Sequence, residues 1–258
     1  MADNKKMLLS VIVPSLTGEM PKSLPTDSRL EVVVVTNVRP VSAARNQGLL
    51  KAHGDYIAWV DADDEVTSDW LPEILSALES RPDILSFNAR VKWVDSTRRE
   101  YIVGGGARAK DVMAERINGQ LWNKVIKREL FAGISFSGAS HEDYKMLCEL
   151  LPKAKSFKHI DKVLYVYKRG ASGLSQHKDI ESGRKAVLDL INFYEKSPIE
   201  WKDEIGKGVA QRVADFCRNG ESSLELRKFL RKMLFSIILD KSLTVRIKMK
   251  CLLASFGV

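Results

Sequence analysis

The sequence predicts an α/β fold built on a mostly parallel sheet and continued by a helical extension. Three observations point there. Short apolar runs rich in β-branched residues recur in the first part of the chain, helical patterns separate them, and after about residue 178 the pattern turns helical throughout.

The first run, Leu8 to Val13 (LLSVIV), is continuous and suits a strand covered on both faces. A connection rich in Pro, Gly and Ser, residues 14 to 28, leads to a second run, Glu31 to Val35 (EVVVV). "PVSAARNQGLLKAHG" predicts a helix that opens near Ser42 and ends at Gly54. Tyr56 to Val60 is the third strand. Asp69 reads as the N-cap of the next helix, whose apolar stripe is Trp70, Leu71, Ile74, Leu75 and Leu78. Asp83 to Val94 is a further strand, and Gly104 to Gly106 reads as a mobile loop. Helical stretches are expected around Val112 to Ile117 and Tyr144 to Leu151, and residues 162 to 168 (KVLYVYK) form a late strand. Beyond them, Leu226, Phe229, Leu230, Met233, Leu234, Ile237 and Ile238 follow helical spacing. Val245, Met249, Leu252 and Phe256 make a second stripe. The expected division is a first domain over 1–177 and a basic helical extension over 178–258.

Composition narrows the class. The chain has 258 residues, 45% apolar and 29% charged, as expected of a globular protein. Cys148, Cys217 and Cys251 are scattered and odd in number, which argues against a disulfide framework or a zinc site and favours a reducing compartment. The apolar run MLLSVIV stops at Pro14, too short to cross a bilayer. The expected location is the cytoplasm, with peripheral attachment to the inner face of the cell membrane. The net charge of +8 is concentrated at the end of the chain: from Leu224 onward eight basic residues face only Glu225 and Asp240. That suits an anionic surface. A nucleic-acid-binding role rests on this charge alone, without interleaved aromatics or a known module.

The chemistry concentrates in "DYIAWVDADDEV", where Asp61, Asp63 and Asp64 follow directly on a buried strand. Carboxylates there need a positive partner. A helix-loop-helix calcium site starting at Asp61 would need Gly at the sixth position and Glu at the twelfth, and the chain has Val66 and Pro72. An aspartyl-phosphate phosphatase motif would need Thr or Val where Glu65 stands. A divalent metal carrying a diphosphate at the carboxyl end of a strand remains, beside a plain acid-rich turn.

The order "VIVP", "VSAARNQGL", "GDYIAWVDADDEV", "LWNKVIKREL", "HEDY" and "YVYKRGASGLS" resembles the family 2 glycosyltransferases, from about Leu8 to Ser175. The resemblance implies the GT-A fold, a Rossmann-like mixed sheet flanked by helices. It also implies inverting transfer of a sugar from a nucleotide-sugar to an acceptor hydroxyl, in bacterial surface polysaccharide or lipopolysaccharide synthesis. Partners so implied are the nucleotide-sugar donor and a glycan or lipid-linked glycan acceptor.

On that resemblance, Asp63 is the principal ligand of Mn²⁺ or Mg²⁺, with Asp61 close to the metal or ribose and Ala62 between them. Asp143 is the general base and Glu142 the fallback; neighbouring helical residues point about 100° apart, so one of the two is expected to face the hydroxyl. Pro14, Asn37, Arg45 and Asn46 lie on the nucleotide side, Asn123 and Lys124 (with Trp122) on the sugar or acceptor side, and Arg169 and Ser172 (with Lys168) over the diphosphate. His141 reads as a neighbour of the site. Only residues 14 to 41 separate the first strand from "SAARN", a shorter stretch than the family carries, which leaves the base pocket open or completed by another chain; a UDP-sugar is the default donor on the resemblance. The alternative is an inactive GT-A-like binding or scaffold protein.

Overall fold

The computed structural model describes residues 9–94, 98–106, 108–116, 120–138, 140–170, 180–219 and 222–257. The chain divides into two compact units, Met1–Ala107 with Gln120–Gly173, and Arg108–Gly119 with Leu174–Val258.

The first unit is built on a mixed sheet. Its strands are β1 (Leu9–Ser15), β2 (Leu30–Thr36), β3 (Tyr56–Trp59), β4 (Glu65–Val66), β5 (Ile84–Trp93), β6 (Tyr101–Val103), β7 (Lys124–Lys127) and β8 (Phe157–Arg169). They lie in the order β2-β1-β3-β7-β5-β8-β4, with β6 on the edge of β5 beyond β7. β1 pairs in parallel with β2 and β3, and β5 with β8, while β7 is antiparallel to both β3 and β5. β1, β2, β3, β5 and β8 therefore run one way, and their carboxyl ends share one edge. Ligands bind beyond such ends in open α/β sheets.

Three helices serve this sheet: α1 (Val41–Lys51), α2 (Trp70–Leu78) and α4 (Glu142–Leu150). α1 lies so close to β1 that a Cβ on Gly48 would stand 2.3 Å from Ile12 Cγ2, so the glycine of "SAARNQG" is required by packing. The apolar stripe of α2 (Trp70, Leu71, Ile74, Leu75 and Leu78) joins β1, β3 and β5 in the main core. Asp69 precedes α2 but makes no side-chain cap bond. The glycine-rich segment is anchored where a mobile loop was expected: Gly105 N–H donates to Asn88 Oδ1 at 3.0 Å, and a Cβ there would meet the Phe87 carbonyl oxygen at 2.2 Å.

The second unit is helical: α3 (Ala109–Met113), α5 (Ile180–Lys196), α6 (Ile199–Arg218), α7 (Leu224–Leu239) and α8 (Val245–Phe256). Its make-up corrects the expectation of an unbroken domain over 1–177. Residues 108–119 group with the C-terminal helices because Val112 and Met113 are buried, Gln211 Nε2 donates to the Ala114 carbonyl at 2.6 Å, and Arg212 pairs with Glu115. Arg116 meets Asp111, Glu204 and Asp240, and Lys207 meets Asp203 at 2.7 Å and Asp240 at 3.0 Å. α7 and α8 open on side-chain caps, Ser223 and Thr244. Leu226, Phe229, Leu230, Met233 and Ile237 of the expected stripe are buried, while Ile238 is exposed. The stripe expected on α8 faces outward at Val245, Met249 and Phe256; Leu243, Cys251 and Ala254 are buried instead. All three cysteines are buried and none is in a disulfide. Among the described residues no helix is long and apolar enough to cross a membrane.

Candidate active site

The acidic loop follows β3, whose four residues are all buried. The Asp64 N–H donates to the Asp61 carbonyl at 3.1 Å, closing a turn over 61–64. Tyr165, buried on β8, fixes that turn from the side. Its hydroxyl donates to Asp64 Oδ2 at 2.6 Å and accepts from the Asp61 N–H at 3.1 Å. The Lys168 N–H donates to the other Asp64 oxygen at 2.7 Å. Asp64 is thus an internal strut between the loop and β8. Burial and the charge of Asp61 push its carboxyl up to about 8, against the two hydrogen bonds it accepts. Asp63 is exposed, and the Asp61 side chain is 31% exposed.

Opposite the loop stands Arg45, only 5% exposed on α1. Its Nη1 lies 2.6 Å from Glu142 Oε1 and also bonds Asp143 Oδ1, and its Nη2 is 3.8 Å from Asp61 Oδ1. One guanidinium therefore joins the residue that opens the acidic loop to the first two residues of α4. Burial alone would lower the Arg45 pKa, but Asp143, Asp61 and Glu142 outweigh it and hold the group above its ordinary value. Its Nε is buried without a partner, and its head lies 5.7 Å from the Phe136 ring centroid. Asn46, the next residue, makes two bonds to the backbone of Phe136, at 2.9 and 2.8 Å. Asn46 thereby positions the aromatic neighbour of Arg45.

Burial, reinforced by the charges of Glu142 and Asp61, raises the Asp143 carboxyl to about 7, with Arg45 and the Leu121 N–H opposing. Glu142 and Asp143 were expected to diverge by a helical step, yet both reach the same Arg45 nitrogen. They open α4, and Glu is one methylene longer than Asp, so a full helical step between their heads is not enforced. His141, just before them, has φ 56°, a left-handed conformation that His tolerates better than most non-glycine residues.

"WNK" occupies the turn leading into β7. Lys124 is fully buried, and its Nζ donates to the Gln120 carbonyl at 2.7 Å and Asn123 Oδ1 at 2.8 Å. Burial lowers its pKa to about 7, with Asp143 pulling the other way. Asn123 is also fully buried, and its Nδ2 has no partner. Trp122 lies parallel to Tyr165 and Tyr167, with ring centroids 5.1 and 5.6 Å away. Trp122 is thus part of the wall that carries the loop-pinning tyrosine.

The remaining expected residues are more dispersed. Pro14 lies within β1 opposite Val35, and Asn37 follows β2 with φ 54° and an exposed side chain. Arg169 ends β8 with its guanidinium 4.8 Å from the Trp93 ring centroid, and Lys168 pairs with Glu65 at 2.6 Å. Ser172 lies outside the described residues. Among the described residues no group of three His, Cys, Asp or Glu side chains is placed to hold a metal. Asp61 and Asp63 offer two accessible hard oxygen donors, a set suited to Mg²⁺ or Mn²⁺ bound through one or two carboxylates plus phosphate oxygens.

Tyr165 and the strut role of Asp64 were not foreseen, although Tyr165 sits at an alternating position of "YVYK". Tyr165→Phe is expected to strand the Asp61 N–H and one Asp64 oxygen, destabilising the first unit by about 1–3 kcal/mol. Urea unfolding checks this, and unchanged stability would remove the pinning role.

Residues 16–137 match a family model described as glycosyl transferase family 2. The chain is 23% identical to the "Uncharacterized glycosyltransferase EpsJ" of Bacillus subtilis, over 91% of this chain and 76% of that one. It is 24% identical to an "Uncharacterized glycosyltransferase" of Haemophilus influenzae, over 66% of this chain and 67% of the relative. In fold it is similar to S. aureus TarS 1-349 in complex with UDP-GlcNAc, with a TM-score of 0.58, 17% identity, and coverage of 97% of this chain and 88% of that one. The UDP complex of the same TarS fragment gives a TM-score of 0.53.

Proposed function

From a chain that belongs to glycosyltransferase family 2, we propose the full reaction: metal-dependent, inverting transfer of a sugar from a nucleotide-sugar to an acceptor hydroxyl. The observation that carries this reading is Arg45 gathering Asp61, Glu142 and Asp143 at the carboxyl edge of the sheet. The cluster links a diphosphate side, the Asp61–Asp63 loop, to an acceptor side, the start of α4.

Asp143 takes the acceptor proton as the hydroxyl attacks the anomeric carbon. A base is most effective when its pKa lies near the working pH, and burial has brought this carboxyl there. One carboxylate suffices, because a single displacement inverts the centre and needs no covalent intermediate. Arg45 keeps the three acids together and limits how far their mutual repulsion raises them. Asp63 and Asp61 would hold Mn²⁺ or Mg²⁺, which when bound neutralises the charge growing on the leaving diphosphate. Asn123, buried and held by Lys124, belongs to the framework of the sugar or acceptor side in this reading. Lys168, whose N–H holds Asp64, and Arg169, which follows it on β8, are assigned to the diphosphate side on the family resemblance.

A UDP-sugar is the donor in this proposal. It is supported by the fold similarity to a protein crystallised with UDP-GlcNAc and with UDP. The acceptor is a bacterial surface polysaccharide or lipopolysaccharide, on the family resemblance. The test is calorimetry with UDP, with and without Mn²⁺, on the parent and on Asp63→Ala. Binding is expected to need the metal and to be lost in the variant, whose exposed side chain leaves the fold intact. Metal-independent affinity, or equal affinity in the two proteins, would sink the assignment of the acidic loop. No binding of any nucleoside diphosphate would favour a non-catalytic scaffold.

A further inference from the structure

The folding of α7 and α8 buries one apolar stripe and leaves another outside. Phe235 is 76% exposed, and Ile238 and Leu239 beside it are exposed too. On α8 the exposed large side chains are Met249, Leu253 and Phe256, with Val245 at its start. The two helices lie side by side. Arg231 Nε on α7 donates to the Ser255 carbonyl on α8 at 3.2 Å, with its guanidinium 5.7 Å from the Phe256 ring centroid. Lys248 Nζ on α8 donates to the Ile238 carbonyl on α7 at 2.8 Å. These contacts match the two helices antiparallel, so that both helices of the hairpin carry an exposed apolar row; Phe235 and Leu239 also border Asp203 and Lys207 of α6. Exposed apolar surface of this kind is seldom left to water.

The hairpin itself carries mostly basic charge, although Asp203 of α6 accepts from Ser236 beside Phe235 and Leu239, and Lys232 and Lys250 pair with Glu195 and Asp215. From Leu224 onward eight basic residues face two acids, and one of those, Asp240, is turned inward against Arg116 and Lys207. Lys228, Lys241 and Arg246 are exposed and form no ion pair among the described residues. Apolar side chains with a basic rim, on helices that cannot span a bilayer, are the features of an interfacial anchor. Nucleic acid would match the charge but not the exposed Phe and Leu, since phosphates are bound by polar donors.

We propose that the outward face of the α7–α8 hairpin docks on an anionic lipid surface, with the Phe235 and Phe256 rows entering the headgroup boundary and Lys228, Lys241 and Arg246 meeting lipid phosphates. This is independent of the reading of the active site. The burial of Leu226, Phe229, Leu230, Met233 and Ile237 shows that the sequence-level stripe is not the docking face; the opposite rows are.

The test is co-sedimentation of the full chain with phosphatidylcholine vesicles and with phosphatidylcholine–phosphatidylglycerol vesicles. Binding is expected to the anionic vesicles only and to weaken with salt. The double variant Phe235→Ser/Phe256→Ser and the double variant Lys228→Glu/Arg246→Glu should each lower the partition about tenfold or more. All four side chains are exposed, and a parent-like thermal unfolding curve confirms that each variant is folded. Absence of binding, equal binding to both vesicle types, or parent-like partition of either variant would overturn the proposal. So would sedimentation velocity showing a lipid-free dimer that Phe235→Ser/Phe256→Ser dissolves, because the face would then belong to a second copy of the chain. Retention on an oligonucleotide without vesicle binding would overturn it as well.

Discussion

Arg45→Ala is expected to destabilise the first unit by about 3–5 kcal/mol and to abolish transfer at neutral pH. The guanidinium is the positive centre among Asp61, Glu142 and Asp143, and its side chain is only 6% exposed. Its removal leaves three carboxylates facing one another, two of them, Glu142 and Asp143, only 12% and 14% exposed. Arg45 also opposes the upward push on Asp143, so its loss raises that carboxyl beyond about 7 and leaves it protonated at neutral pH. Urea unfolding measures the first effect. The acid limb of the pH–rate profile measures the second and should move toward higher pH. Arg45→Lys should fall between the two proteins, because an ammonium keeps the charge but lacks the forked donors that reach several acids. A stability change within about 0.5 kcal/mol together with an unmoved limb would contradict the organising role of Arg45.

Asp143→Asn is expected to keep donor binding and lower single-turnover transfer by about 10²- to 10⁴-fold. Asn retains the shape and can accept from the Leu121 N–H, but it cannot take a proton. In the parent, transfer should rise with pH through about 7 as the base ionises, and the variant should lack that limb. Stability carries the opposite sign. A carboxyl raised in the folded state binds more protons there than in the unfolded chain, so stability falls as pH rises from about 4 to about 7. The Asn variant should lose this share of the slope. Glu142 touches the same Arg45 nitrogen and is the rival base. If Glu142→Gln is inactive while Asp143→Asn transfers normally, the roles are exchanged. If Asp143→Asn loses donor affinity instead, the residue belongs to the nucleotide side.

How much of this was legible in the sequence follows from the range of the interactions. β1, β2, β3 and α2 are written in local patterns, because a buried strand must be apolar throughout and a docked helix must carry a stripe. β7 was missed. Its "KVIK" has only two apolar residues between lysines, and nothing local reveals that the Lys124 ammonium finds the Gln120 carbonyl and the Asn123 side chain inside the protein. β4 has two residues and exists only because β8 pairs with it. The site was legible as a set of motifs but not as a constellation. Arg45 meets acids 97 and 98 positions away, and sequence spacing does not report which of several acids a buried arginine will join. Asp64 was visible in "DADD", but its tie to Tyr165 depends on the placement of β8. The reassignment of 108–119 to the helical unit is likewise a long-range matter, decided by Gln211 and Arg212.

The tie between Tyr165 and Asp64 also bears on the order in which the protein comes into being. These residues are 101 positions apart, so the acidic loop is synthesised long before the strand that fixes it. β5 likewise waits for its parallel neighbour β8, and non-local pairing of this kind forms slowly. A nascent chain that has released β1 to β3 already carries Asp61, Asp63 and Asp64, but it has neither the Tyr165 hydroxyl nor the Lys168 N–H to hold them. The loop is therefore fixed only when translation has passed Lys168, and fragments ending before that point would carry the motif without the bonds that hold it.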